Sequence, residues 1–167
     1  MTEASKSSPH DETVSIRAAV SADIPALVRL INVAFIVEQF VFDGDRINAE
    51  ETQAFIETGK FLLAEDAAGF AGCVYLETRQ YRGYLGLLAV DPARQGTGLG
   101  RKLVAAAEDC FRTGGCVAVD LRVISQQTRL PPFYRRLGYV EIGTAPFSPS
   151  LEVKVPGHYI VMSKPLA

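Results

Sequence analysis

The chain has 167 residues, 48% of them hydrophobic and 22% charged, which is the size and apolar content of one globular domain with a full core. A formal charge of −2, with Lys and Arg scattered rather than blocked, gives no electrostatic footprint for nucleic acid or an anionic membrane, and neither partner is expected. No apolar run approaches the roughly 20 residues of a membrane span. Cys73, Cys110 and Cys116 each lie in an apolar stretch and read as reduced core thiols of a cytoplasmic protein, ahead of a nucleophilic role.

Residues 1–13 are polar, lack the apolar stretch of a signal peptide, and read as a disordered tail before a single domain over 14–167. Val14 to Ala18 suggests a first strand, with Ser21 or Asp23 able to cap the helix that follows. Ile24, Leu27, Val28, Ile31, Ala34 and Phe35 recur at three- and four-residue steps, giving that helix one apolar stripe as far as about Phe40. A polar loop around Asp43, Gly44, Asp45 and Arg46 leads to Asn48, which with Glu51 has the spacing of a capping pair for a short helix ending at Gly59.

From Lys60 the texture is that of strands: Phe61 to Glu65, Phe70 to Glu77, then Tyr84 to Val90, joined by short turns that imply antiparallel neighbours. Tyr84 to Val90 does not alternate, which predicts a strand covered on both faces near the middle of the sheet. Leu99, Leu103, Val104, Ala107, Cys110 and Phe111 form a second helical stripe, stopped by Gly114 and Gly115. The strand at Cys116 to Ile124 then completes a parallel crossover. Pro131 and Pro132 suit the first turn of a short helix running to Leu137, and strands near Tyr139 to Gly143 and His158 to Ser163 close the chain. The expected fold is α/β of the α+β type: a mixed, mostly antiparallel sheet of about seven strands with flanking helices.

Between the strand ending at Val90 and the helix beginning near Gly98 lies Gln95-Gly96-Thr97-Gly98-Leu99-Gly100, where several backbone N–H groups can converge on an anion. Glycine lets a diphosphate reach those amides and allows positive φ. Arg101 and Lys102 occupy the first helical turn, where the helix dipole disfavours cations unless an anion compensates. A P-loop is excluded, since no Gly-Lys-Ser or Gly-Lys-Thr follows at the required spacing, and a dinucleotide fingerprint would need glycine where Arg101 stands. A glycine-rich helix start without a ligand would cost about 1 kcal/mol per glycine for no packing gain.

Leu88 to Leu103, with Gln95, Gly98 and Gly100 at the key spacing, resembles the acetyl-CoA signature of the GCN5-related N-acetyltransferase (GNAT) family. Downstream, Gln127 to Tyr139 is similar to a second feature of that family, with Gln127 in place of its Asn, Leu130 in place of its Ala, and Tyr134 retained. The resemblance implies acetyl-CoA as acetyl donor, a primary amine as acceptor, and direct transfer in a ternary complex. The alternative is a module that holds acetyl-CoA or CoA without turnover.

By the same resemblance, Leu88, Ala89 and Val90 would bind the pantetheine arm, chiefly through the main chain of Leu88 and Val90. Arg94, Gln95, Gly96, Thr97, Gly98, Leu99, Gly100 and Arg101 would meet the phosphates, and Gln127 and Tyr134 would complete the cofactor site. Tyr134 takes the proton-donor position: its phenol, with a reference pKa of about 10, is the group expected to protonate a thiolate whose conjugate acid lies near 8.5. The central strand carries no carboxylate, so Glu77 is the nearest candidate base, acting through water. Asp43, Asp45, Glu50 and Glu51 could draw in a cationic acceptor, His158 begins a strand that often lines the acceptor pocket, and a homodimer is allowed by the edge strands. Two histidines and no paired cysteine spacing argue against a metal site.

Overall fold

A computed structural model describes residues 13–149 and 151–166. The expected tail lies, but for Thr13, outside the described residues. Seven strands form one sheet: β1 (Ser15–Ala18), β2 (Lys60–Asp66), β3 (Gly69–Arg79), β4 (Arg82–Val90), β5 (Ala118–Ile124), β6 (Val140–Ala145) and β7 (Tyr159–Pro165). Their spatial order is β1-β2-β3-β4-β5-β7-β6. Only β4 and β5 pair in parallel; every other neighbouring pair is antiparallel. The antiparallel meander before β4 removes the dinucleotide-fold alternative, which requires parallel strands from the start.

Four helices flank the sheet: α1 (Ile24–Ala34), α2 (Ala49–Thr58), α3 (Leu99–Thr113) and α4 (Leu130–Arg136). The first helix stops earlier than its apolar stripe suggested. At Phe35 the chain tightens into a 3-10 turn, Phe35–Glu38, so the expected continuation to Phe40 is corrected. The Asn48 side chain accepts from the Glu51 N–H at 2.8 Å, so α2 starts where the capping pair predicted.

Two apolar cores lie on opposite faces of the sheet. Leu27, Leu30 and Ile31 of α1 pack with Phe61, Leu63, Cys73, Tyr75, Leu87 and Ala89. Leu99, Leu103, Val104, Ala107 and Phe111 of α3 pack with Leu62, Val74, Leu76, Leu85 and Leu121. The approach of α3 is close: a Cβ on Gly83 would lie 2.6 Å from the Phe111 ring. β4 feeds both cores, as its unbroken apolar run predicted, by an unexpected route.

Gly86 pairs with Tyr75 and Ala89 with Cys73, leaving Leu87 and Leu88 opposite the single Val74. Leu87 accommodates the extra residue at φ 48°, a conformation rare for a non-glycine side chain. The bulge reverses the phase of the strand, so Leu85 faces the α3 core and Leu87 the α1 core.

Candidate active site

The glycine loop is braced before it reaches the helix. Asp91 accepts from the Ala93 N–H at 2.9 Å and starts a 3-10 turn, Pro92–Arg94. Arg94 grips Asp66 with two nitrogens, both at 2.7 Å, and Asp91 with a third at 2.8 Å. The Thr97 hydroxyl donates to the Arg94 carbonyl at 2.6 Å. Gly96 and Gly98 then turn the chain with φ 80° and 82°, and nothing lies within 4 Å of where a Cβ would stand on either.

Among the described residues, the N–H groups of Gly96 through Arg101 donate to no protein acceptor, and the helix ladder starts with the Lys102 N–H to the Gly98 carbonyl at 3.2 Å. These unpaired donors at the positive end of a 15-residue helix fit a phosphate. The Arg94 side chain is committed to the two aspartates, so its place is behind the loop, fixing its shape.

The second half of the site comes from strand divergence. β4 and β5 pair only at Arg82↔Ala118, Gly83↔Val119 and Tyr84↔Asp120. Beyond Tyr84 they separate, and a cavity of about 110 Å³ opens between Leu85–Leu88 and Leu121–Ile124, several times the room one water needs. Glu38, Arg46, Arg122, Tyr84, Tyr134 and Tyr159 supply its polar lining. Phe35, Glu38, Phe42, Arg46 and Tyr159 also line a neighbouring cavity bounded by the Asp43–Arg46 loop, Leu151 and Glu152.

Tyr134 stands on α4, which Pro131 and Pro132 start and Gly138, at φ 98°, ends. It is buried, edge-on to Tyr139 and Phe133, and its hydroxyl has no hydrogen-bond partner among the described residues. Burial first, then Tyr84, holds its pKa above the ordinary phenol value, so it stays protonated at any physiological pH.

Glu38 is only 8% exposed and lines both cavities, and its carboxyl forms no hydrogen bond or ion pair among the described residues. Burial pushes its carboxyl up to about 7, with Arg46 partly opposing. A carboxyl with that environment can accept a proton near neutral pH.

Glu77 is placed differently from the sequence expectation. It receives the Tyr75 hydroxyl at 3.1 Å and is bonded by the Arg79 guanidinium, and it lines neither cavity. Leu88 does reach the inner cavity, Ala89 is buried in the α1 core, and Val90 approaches the start of α3. Gln127 shapes the turn before α4, its N–H on the Ile124 carbonyl at 3.0 Å and its carbonyl receiving the Leu130 N–H at 3.1 Å. Asp43 and Asp45 line the neighbouring cavity, Glu50 and Glu51 sit in the first turn of α2, and His158 is exposed and lines neither cavity. Burial lifts the Cys73 thiol to about 12, which leaves no thiolate for nucleophilic chemistry.

Glu38, Arg46 and Arg122 were not singled out by sequence reasoning. The signal for Glu38 was a lone carboxylate inside the run Ala34-Phe35-Ile36-Val37-Glu38, an odd place for a solvated charge.

Comparison with known proteins identifies the family and the fold. Residues 33–149 match the family described as "Acetyltransferase (GNAT) domain". The chain is 32% identical over 136 residues to a mycothiol acetyltransferase of Saccharopolyspora erythraea, covering 78% of this chain and 45% of that protein. It is 33% identical over 125 residues to a mycothiol acetyltransferase of Kineococcus radiotolerans, covering 74% and 41%. It therefore spans less than half the length of these curated relatives. The chain belongs to the GNAT acetyltransferase family.

In fold it is similar to the ribosomal-protein-S18-alanine N-acetyltransferase of Escherichia coli, with a TM-score of 0.76, 20% identity, and coverage of 93% of this chain and 95% of that one. It is also similar to the Salmonella typhimurium protein yncA, solved with its cofactor acetyl-CoA, with a TM-score of 0.75, 22% identity and coverage of 93% and 95%. Among the described residues there is no group of three or more His, Cys, Asp or Glu that could hold a metal ion, and no helix long and apolar enough to cross a membrane.

Proposed function

We propose that the chain is an N-acetyltransferase that moves an acetyl group from acetyl-CoA to a primary amine by direct transfer in a ternary complex. The observation that carries this reading is a single arrangement: an unpaired N–H cradle at the start of α3 beside a cleft, between splayed strands, that holds a protonated phenol and a carboxylate of near-neutral pKa. Acetyl-CoA supplies the activated acetyl group as a thioester. The Gly96–Arg101 amides hold its diphosphate, and the free edge of β4 past Tyr84 offers main-chain groups to the pantetheine arm and the acetyl carbonyl.

Glu38 takes the base role first expected of Glu77, accepting the proton that the amine nitrogen sheds as it bonds to the acetyl carbon. Tyr134 donates its hydroxyl proton to the sulfur as the C–S bond breaks, and solvent returns the proton on Glu38 to the tyrosinate. Transfer from an ordinary phenol to a free thiolate is uphill by about 2 kcal/mol, and burial of Tyr134 widens that gap. Donation is therefore concerted with C–S cleavage, stabilising negative charge as it develops on sulfur.

The curated relatives are named mycothiol acetyltransferases. This chain spans less than half of each, so we carry over an amine acceptor and leave its identity to the pocket. Three free cysteines support a cytoplasmic location, and exposed Val140 and Ile142 on edge strand β6 support a homodimer.

Release of free thiol from acetyl-CoA, measured with a panel of amines, tests the reading. Saturable acetyl-CoA binding without amine-dependent thiol release would replace it with a CoA-binding module.

A further inference from the structure

The inner cavity is lined by two guanidinium groups that form no ion pair among the described residues, although Arg46 feels the charge of Glu38 across it. Arg46 and Arg122 line it, and neither forms an ion pair or hydrogen bond among the described residues. Their guanidinium groups lie over rings: the Arg46 Cζ is 5.7 Å from the Phe35 centroid, and the Arg122 Cζ is 4.7 Å from that of Tyr159 and 5.6 Å from that of Tyr84. Arg46, Arg122, Glu38 and Tyr159 all line this one cavity. Aromatic stacking orients a guanidinium while leaving its N–H fork available.

With two guanidiniums and one carboxyl in its lining, the cavity carries net positive charge whether Glu38 is protonated or not. A simple alkylammonium ion would enter this region against two cations. An amine that carries its own carboxylate would meet both needs at once: the carboxylate satisfies the arginine pair, and the amine is left beside the buried carboxyl that deprotonates it.

Resting on the transferase reading, we propose that the acceptor is an α-amino acid, whose carboxylate is held by Arg46 and Arg122 while its amine faces Glu38 and Tyr134. The side chain then points to the neighbouring cavity, where Phe35, Phe42 and Tyr159 give apolar walls and Asp43, Asp45 and Glu152 an acidic margin. The arginine pair selects the acceptor, and Glu38 and Tyr134 act on it.

The test compares matched pairs that differ by the carboxylate: L-phenylalanine with phenethylamine, L-leucine with isoamylamine, and L-lysine with cadaverine. In the wild-type protein the acid should exceed its amine in kcat/KM by at least tenfold for one or more pairs. The R46Q/R122Q double variant should collapse that preference at least tenfold, chiefly through KM for the acid. Both arginines are exposed and form no ion pair among the described residues, so the variant should lose only their ring contacts and lower the melting temperature by no more than a few degrees. Amines equal to or better than their acids, or a double variant that keeps the preference, would overturn the proposal and leave the transferase standing.

Calorimetric titration of the same six compounds in the presence of CoA separates the other failure. Acid binding that the double variant loses, with no thiol released, retains the carboxylate clamp and removes the transferase. Absence of any acid-over-amine preference in both assays removes the clamp.

Discussion

Glu38 is the residue on which chemistry and stability pull in opposite directions. In the proposed base role it must be unprotonated, so kcat/KM should rise with pH through an inflection near 7, and Glu38→Gln should abolish that limb and lower kcat by about 100-fold. A pH–rate profile of both proteins checks it. For stability the sign is reversed: a carboxyl whose folded pKa is raised favours the fold while neutral, below about 4.5, and loses that contribution as pH rises through 7. The displacement from 4.5 to about 7 corresponds to about 3 kcal/mol at 1.36 kcal/mol per pH unit. Urea unfolding should therefore find Glu38→Gln more stable than wild type at pH 8 by up to about 3 kcal/mol, with the difference shrinking toward pH 5. Tyr134→Phe keeps the ring packing against Phe133 and Tyr139 and removes only the donor. It should lower kcat about 10- to 100-fold with acetyl-CoA affinity nearly unchanged, read by steady-state kinetics and calorimetry.

At the level of elements, the candidate site is two unfinished structures side by side: a helix whose first amides lack acceptors among the described residues, and a strand pair that stops pairing after three residues. Each leaves backbone groups available that a ligand can satisfy. The helix start depends on Gly98 at φ 82°, so Gly98→Glu combines a strained backbone with an anion among phosphate-facing amides and should abolish acetyl-CoA binding by calorimetry. Arg94 acts through shape. Its bidentate hold on Asp66 is largely shielded, with the side chains 18% and 10% exposed, so Arg94→Ala should loosen the loop by about 1 to 2 kcal/mol. That predicts a five- to thirtyfold higher KM for acetyl-CoA with kcat changed far less.

At the level of the whole molecule, the sheet holds these elements in register, and α3 packs its apolar face on it and is tied to β7 by an ion pair. Near its C-terminal half, Glu108, whose side chain is 6% exposed, receives Lys164 of β7 at 2.7 and 3.0 Å. Lys164→Met would strand a carboxylate against the core, at a cost of about 2 to 3 kcal/mol after allowance for the partly exposed lysine. The expected fall in melting temperature is roughly 5 to 10 °C by scanning calorimetry, restored in part by adding Glu108→Gln.

What the chain's order of residues determined by itself was local and periodic. Apolar spacing marked α1 and α3, the Asn48–Glu51 pair marked the start of α2, and short turns marked the antiparallel meander. The glycine spacing marked the left-handed turn and the start of α3, because backbone conformation and a helix start are written within a few neighbouring residues. Tertiary structure decided what depended on distant segments meeting. Leu87 takes its bulge from the pairing of β3 with β4, Glu38 draws its raised pKa from burial in the fold, and Arg94 turns to an aspartate 28 residues away. Burial and charge are properties of neighbours in space: Glu38, Arg46 and Arg122 share one cavity with Tyr84, Tyr134 and Tyr159, segments far apart in the chain that no spacing rule joins.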